Sequence, residues 1–387
     1  MENTAYKELE NKYEDLITIR RDLHMYPELS FEEERTPRII ANFLRERGLE
    51  VRTGVGGRGV TALLRGAKPG KTVALRADFD ALPIQDEKAV PYKSKKPGVM
   101  HACGHDIHTA SLLGAAYALS KVKEHLQGNV LFIHQFAEEV IPGGAKAMIA
   151  DGCLNDVDVI YGAHVSSTLP IGQIQFKENV MMAAGDKFEI LIKGKGGHGS
   201  MPHLAVDPVF IGSQIVMNIQ QITSSRLNTT DPAVITVCSF KGGSSFNIIP
   251  DQVTLSGTVR TFSEEARYLA EKHIRKIAEA ICSGAGAECK VTYEYGYPSL
   301  WNNPEEAQRV RCIAERMAGK ENVSESPLLM AMEDFSYYLQ KKPGAFFHVG
   351  GMNPDIQAVY PHHHPKFDVD EESILLTGKM FISLVFN

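Results

Sequence analysis

Apolar residues recur along the first part of the chain in two distinct ways. At 71–76 (KTVALR), 129–136 (NVLFIHQF) and 157–163 (VDVIYGA) they form short, near-continuous runs, as expected of strands buried on both faces. Between these runs, 107–122 sets Leu112, Leu113, Ala116 and Leu119 on one side of a helix, and a Gly143-Gly144 turn leads into a helix closing at Gly152. Strands alternating with helices predict an α/β sheet covered by helices on its faces. The first residues, with Leu9, Tyr13, Leu16, Ile17 and Leu23 near helical spacing, predict an amphipathic helix.

After about Met181 the periodicity changes. The segment 187–193 (KFEILIK) alternates apolar and polar residues, as a half-exposed strand does. A helix over 208–222, strands at 233–240 and 252–260, a helix over about 264–282 and a strand at 289–295 complete the segment. Helices on one face of an antiparallel sheet make a small α+β, ferredoxin-like domain. From about Pro304 the chain returns to helix, then to a strand at 344–349 and a last helix from Glu371. The expected organisation is one α/β domain formed by 1–182 and 297–387, interrupted by an inserted α+β domain at 183–296.

Coordinating side chains gather where open α/β sheets place their active sites, beyond the carboxyl ends of the strands. Asp78 and Asp80 follow the first strand, Glu138 and Glu139 the second, and His164 ends the third. The loop GVMHACGHDIHTA, 98–110, adds Cys103 and His105, two apart across Gly104, with His101 and His108 close by. A thiolate, imidazoles and carboxylates suit zinc and similar borderline-soft ions. Two adjacent carboxylates can divide labour, one binding metal and the other taking a proton from water. His101 and His108 read equally well as ligands or as groups orienting a ligand. Near the end, YPHHHPKFD offers three consecutive histidines, and spacing alone does not choose among them. His134, mid-strand, reads as a satisfied core histidine, while His24 and His348 carry no local signal.

Gly194-Lys-Gly-Gly-His-Gly199 fits G-x-G-x-x-G after a strand. The strand alternates like an exposed one, Pro202 interrupts the helix start, and no acidic residue closes a second strand about 20 residues on. A glycine-rich loop carrying His198 is the better description.

Composition narrows the class. The 387 residues are 43% hydrophobic and carry a formal net charge of -6, which argues against nucleic-acid and anionic-membrane partners. No apolar run approaches the roughly 20 residues of a membrane span. The charged N-terminus lacks the apolar stretch of a secretory signal, and six thinly spread cysteines suit a reducing compartment. The expected location is cytoplasmic.

RRDLHMYPELSFEE, RADFDALP, MHACGHDIHTA, FAEEVIPGGAKAMI, GAHV, GKGGHGSMPH, FNIIPD and HHHPKFD, in this order, resemble the amidohydrolase branch of the dinuclear-metal aminoacylase and carboxypeptidase superfamily. Hippurate hydrolases, N-acetyl-amino-acid deacetylases and plant auxin-conjugate hydrolases belong to that branch. The likeness runs from about Arg20 to the C-terminus. It implies a zinc-peptidase-like catalytic domain with an inserted lid and dimerisation domain, a homodimer, and two divalent metal ions per subunit (zinc, manganese, cobalt or nickel). By this resemblance Cys103, His105, Glu139, His164 and His363 are metal ligands, Glu138 is the catalytic base, and Asp80 supports the metal site. His198 matches a lid histidine that relatives contribute to the partner subunit's site, and Asn247 a lid asparagine contacting the substrate carboxylate. Met332 departs from the small polar residue frequent before the acidic pair, which alters the expected pocket.

The implied reaction is hydrolysis of the amide of an N-acyl amino acid. Glu138 moves the proton and His198 donates to the developing oxyanion. Asn247 shares the substrate carboxylate with a cation such as Arg260. A dipeptidase or carboxypeptidase with the same apparatus is the alternative. A binding protein without catalysis, and a thiol hydrolase using Cys103 with His105 as base, are more distant rivals.

Overall fold

The computed structural model describes residues 1–387, which divide into two compact units. The first comprises Met1–Met181, Trp301–Pro327 and Asp334–Asn387; the second comprises Met182–Leu300 and Leu328–Glu333.

The first unit is the α/β fold that the alternating pattern predicts. Its eight-stranded sheet runs Glu50–Val55, Gly59–Arg65, Gln127–Gln135, Lys68–Asp78, Val159–Pro170, Gly344–Met352, Ile174–Phe176, Val323–Glu325. Lys68–Asp78 pairs in parallel with both Gln127–Gln135 and Val159–Pro170. Asp78 lies opposite Gln135 and Arg76 opposite Gly162, so Lys68–Asp78 and Gln127–Gln135 finish at one level. Val159–Pro170 passes that level near His164 and runs on to Pro170, so His164 lies within this strand and does not end it.

The helix His105–Lys121 buries nearly its whole surface, being packed by Glu2–Asn11, Tyr13–Met25 and Ser373–Phe386 on top of the sheet. Ile107, Leu112, Leu113 and Leu119 are fully buried there, each stabilising by roughly 1.5–3 kcal/mol. Gly104 starts this helix with φ of 90°, a backbone state that disfavours other residues. A Cβ there would also approach Val165 Cγ1 to 2.3 Å. This glycine therefore sets the turn between Cys103 and His105.

The N-terminal amphipathic pattern is two helices, broken at Lys12. The helix Arg35–Arg45 and the strands Glu50–Val55 and Gly59–Arg65 were not expected. Glu50–Val55 is an edge strand largely open to solvent, and such a strand has no buried face to impose alternation.

The second unit follows the order strand, helix, strand, strand, helix, strand, with Ala184–Lys193, Pro208–Ile219, Ala233–Lys241, Gln252–Thr261, Glu264–Gly284 and Glu288–Tyr295. Spatially its strands run Ala233–Lys241, Gln252–Thr261, Ala184–Lys193, Glu288–Tyr295, all antiparallel, the ferredoxin-like arrangement. Phe188, Ile190 and Ile192 pack with Ile211, Ile215, Leu255 and Ile274 in one apolar core. Asp207 and Ser263 cap the two helices by accepting from Val209 N (2.9 Å) and Ala266 N (3.1 Å). No helix is long and apolar enough to cross a membrane.

Candidate metal centre

Two aspartates from the end of Lys68–Asp78 organise the site. Asp78 accepts from Arg76 (2.5 Å) and from His108 Nδ1 (2.6 Å). Burial would raise its pKa, but Arg76, His105 and His108 hold it well below the usual carboxylate range. Asp80 accepts from Ser30 Oγ (2.7 Å) and Glu139 N (3.0 Å) through Oδ2, while its Oδ1 lies 3.2 Å from His105 Nδ1.

His105 Nδ1 also donates to the carbonyl of Asp80 at 2.9 Å, so its Nε2 faces the cluster, buried and without a hydrogen-bond partner. Burial alone would lower this imidazole's pKa; Asp78, Asp80 and Glu139 push it up to about 10. The same carboxylates would attract a cation to Nε2, where a metal ion displaces the proton. His164 donates from Nδ1 to Val165 O (2.7 Å), leaving Nε2 3.4 Å from Cys103 Sγ. Burial, then His108 and His362, keep it well below the ordinary imidazole value and hence neutral, the form in which a histidine ligates.

Cys103 stands in the middle. Its sulfur lies within 4.8 Å of ligand atoms of His105 and Glu139, and also within 4.8 Å of those of His164 and His362. Burial, then Glu139, Glu138 and Asp78, hold the thiol well above its usual pKa, a balance that a coordinating cation reverses. His363, at φ 63°, hangs from Ala102 O by its amide (2.8 Å) and points Nε2 to Glu139 Oε1 at 3.3 Å. The thiolate, imidazole and carboxylate donors, with a partnerless buried Nε2 among them, fit a borderline-soft divalent ion. Glu138 is buried beside Glu139 at the end of Gln127–Gln135.

The remaining histidines are sorted by their partners. His108 uses both nitrogens, Nδ1 on Asp78 and Nε2 accepting from Val165 N at 2.9 Å, so it orients the site and has no atom left for a metal. His101 is buried against His24, at 6.2 Å between ring centroids. His364 stacks on Tyr360 (4.7 Å) away from the cluster. His362 accepts from Ser167 N at 3.3 Å and keeps Nδ1 buried without a partner. It therefore stands beside His363 as a neighbour of the cluster that residue spacing did not single out. His134 corrects the expectation of a satisfied core histidine: it is fully buried, yet neither nitrogen makes a hydrogen bond.

Three further residues around the cluster had no individual role assigned in the sequence. Asp334 accepts from Gln135 Nε2 (2.7 Å), Arg76 Nη2 (2.8 Å) and Ala145 N (3.1 Å), and burial pushes it up to about 6. Arg20 ties Asp106 (2.7 Å) to Asp368 (2.8 Å), bracing the helix after Cys103 against the segment after the histidine triplet. His24, without local signal, donates from Nδ1 to Asp106 (2.8 Å) and accepts at Nε2 from Lys88 Nζ (3.0 Å). Such partners are separated by tens to hundreds of residues, so only the fold reveals them.

In the second unit, Gly197–His198 pairs with Ile248–Ile249 in a two-stranded ribbon, and Asn247 O accepts from Gly199 N at 2.9 Å. His198 and Asn247 thus share one exposed loop pair. Ser200 approaches His198 Nδ1 with its amide (3.2 Å) and hydroxyl (2.8 Å), which leaves the ring proton on Nε2. Arg260, half-buried, donates to Val259 O (3.0 Å) and to Thr258 Oγ1. Met332 lies across Gly185, where an added Cβ would collide with its sulfur.

The chain is similar along nearly its whole length to several proteins. It is 50% identical over 374 residues (97% of this chain, 94% of the relative) to YhaA of Bacillus subtilis (strain 168), whose name gives it provisionally as an amidohydrolase. Thermostable carboxypeptidase 1 of Saccharolobus solfataricus is 44% identical over 364 residues (93% and 92%). N-acetylcysteine deacetylase of Bacillus subtilis (strain 168) is 40% identical over 376 residues (95% and 95%). The crystal structure of Bacillus subtilis YXEP, described as a dinuclear metal binding peptidase from the M20 family, superposes with a TM-score of 0.85 at 37% identity, covering 97% of this chain and 98% of that one. The family model for peptidase family M20/M25/M40 matches residues 74–387, and the chain belongs to that family.

Proposed function

We propose that the protein is a metal-dependent hydrolase of N-acyl amino acids, releasing a carboxylate and a free amino acid. The observation that carries this reading is Cys103, whose sulfur belongs to two separate groups of ligand atoms beside the paired acids Glu138 and Glu139. The similarity to N-acetylcysteine deacetylase supports the substrate class, and that to dinuclear YXEP supports two divalent ions. Zinc, manganese, cobalt and nickel all tolerate this donor set.

Cys103, His105, Glu139, His164 and His363 would hold the ions. When bound, they polarise the amide carbonyl and make water acidic near neutral pH. Glu138 takes the proton of the attacking water and returns it to the departing amine. Asp80 fixes His105 and the backbone of Glu139. His198, with its proton on Nε2, donates to the developing oxyanion, a contribution of about 3 kcal/mol. Asn247 and Arg260 receive the substrate carboxylate.

The segment 183–296 acts as lid and dimerisation domain in this reading. Its edge strand Ala233–Lys241 has a neighbour on one side only, and Phe210, Met217, Val234, Phe240 and Phe246 are exposed. An unpaired edge beside apolar surface suits a two-fold interface. Six free cysteines fit a cytoplasmic location.

A second reading, cleavage of short peptides, draws support from the 44% identity to a carboxypeptidase. A panel of N-acetyl, N-benzoyl and N-succinyl amino acids with dipeptides, assayed with each metal, decides between them. Turnover confined to dipeptides would reject the first reading.

A further inference from the structure

The segment Glu28–Glu33 (ELSFEE) has no role in the reaction so far, yet three of its side chains reach the residues that present Glu138. Glu33 is 1% exposed, and its Oε1 accepts from Ala137 N at 2.9 Å. Ala137, fully buried, holds φ of 51°, a left-handed conformation that L-residues adopt only at a cost. Phe31 packs edge-on against Phe136 with centroids 5.8 Å apart. Ser30 donates to Asp80 Oδ2, the same oxygen that accepts Glu139 N. The backbone before and after Glu138 is therefore tied to one segment, directly at Ala137 N and through Asp80 at Glu139 N.

That segment is itself fixed. Glu28 accepts from Arg35 N (2.8 Å) and Thr36 N (2.9 Å), capping the helix Arg35–Arg45, and Arg58 donates to Glu33 O at 2.6 Å. Buried acids that grip backbone amides are costly to bury. Folding alone gives no reason to place one against a strained residue beside the paired acids.

We infer that Glu33 is a positioning residue: by accepting the Ala137 amide it holds the left-handed turn that aims Glu138 at the substrate. The inference rests on the assignment of Glu138 as the base. Burial pushes Glu33 up to about 8, so its carboxyl is largely neutral at pH 7 and a glutamine reproduces both its shape and its acceptor oxygen.

The test uses the full-length, metal-loaded protein. Glu33→Ala should lower kcat by about tenfold or more, with KM and metal stoichiometry unchanged, and Glu33→Gln should stay within about threefold of wild type in kcat. Glycine takes the left-handed conformation freely, so adding Ala137→Gly to Glu33→Ala should recover at least about fivefold in kcat. A merely structural Glu33 would show no such rescue, because a further loosening mutation would add to the damage. Failure of the double variant to recover, or loss of bound metal in Glu33→Ala, would overturn the inference. Hydrogen exchange across 136–139 reads the clamp without turnover: it should quicken in Glu33→Ala, and unchanged exchange would also overturn it. If wild type cleaves none of the N-acyl substrates, the functional reading fails while the exchange result still decides the clamp.

Discussion

His105 and His198 are assigned to the same reaction in opposite surroundings. His105 is 1% exposed, anchored on Asp80, and carried by a buried helix. His198 is exposed on a ribbon two residues long, and its ring is hydrogen-bonded only to its near neighbour Ser200. The contrast follows from chemistry. A buried metal ligand such as His105 is fixed before the ion arrives, with a further layer of partners setting its tautomer. A donor to a transient oxyanion must instead approach and withdraw with the substrate, and glycines at 196, 197 and 199 permit it. Rigid groups should therefore fail by losing metal or proton transfer, and mobile ones by losing turnover alone.

The largest expected effect is at Glu138. Glu138→Gln keeps a similar shape and cannot take water's proton, so kcat should fall about 10²- to 10⁴-fold while metal content, measured by atomic emission, stays at the wild-type value. Metal loss matching that of Glu139→Ala would mean that the two acids have exchanged roles.

Next comes His198→Ala, expected to lower kcat about 10²- to 10³-fold with both ions retained. If each lid serves the neighbouring subunit, refolding His198→Ala together with Glu138→Ala should give mixed dimers with one complete site. Activity well above both parents, in dimers verified by mass, is the expected result. Recovery absent from verified mixed dimers would confine His198 to its own chain.

The sequence exposed this contrast unevenly. The strands at 71–76, 129–136 and 233–240 and the helix from Glu264 were visible because burial on one or two faces writes a period into the chain. Cys103, His105, Glu138, Glu139 and His164 were visible because each follows an apolar run or a glycine turn. What stayed hidden are contacts between distant residues, such as Arg76 with Asp334 (2.8 Å) and Arg20 with Asp368 (2.8 Å). A buried ion pair looks like two ordinary charges when its halves lie far apart. His362 stayed hidden for another reason: in a run of three histidines, facing is set by backbone turns such as φ 63° at His363, which composition does not record.

A smaller effect is expected one layer behind the ligands. Asp80→Asn leaves every ligand in place and weakens the grip on His105 Nδ1 and Glu139 N. Metal affinity should drop about 10- to 100-fold, read by competition with a chromogenic chelator. An affinity equal to wild type would place Asp80 outside the support of the centre.

The smallest effect concerns stability, and it extends the contrast from two side chains to the two units. His134 is buried in the sheet of the first unit, where burial pushes its pKa down to about 3. The apolar core of the second unit contains no histidine. A depressed pKa means that the unfolded chain binds a proton from about pH 6.5 downward while the folded one resists it until about pH 3. The stability linked to His134 is thus fully present above about pH 6.5 and is lost as the pH falls toward 3. One proton taken up only on unfolding corresponds to a slope of about 1.4 kcal/mol per pH unit. His134→Leu removes that proton, so metal-free protein unfolded in urea between pH 4 and 6 should show a slope shallower by up to this amount. The substitution changes no ligand, and kcat at pH 7.5 should remain within about twofold of wild type. An unchanged slope would mean that His134 reaches water in the folded state, and that the burial separating the two units does not extend to this strand.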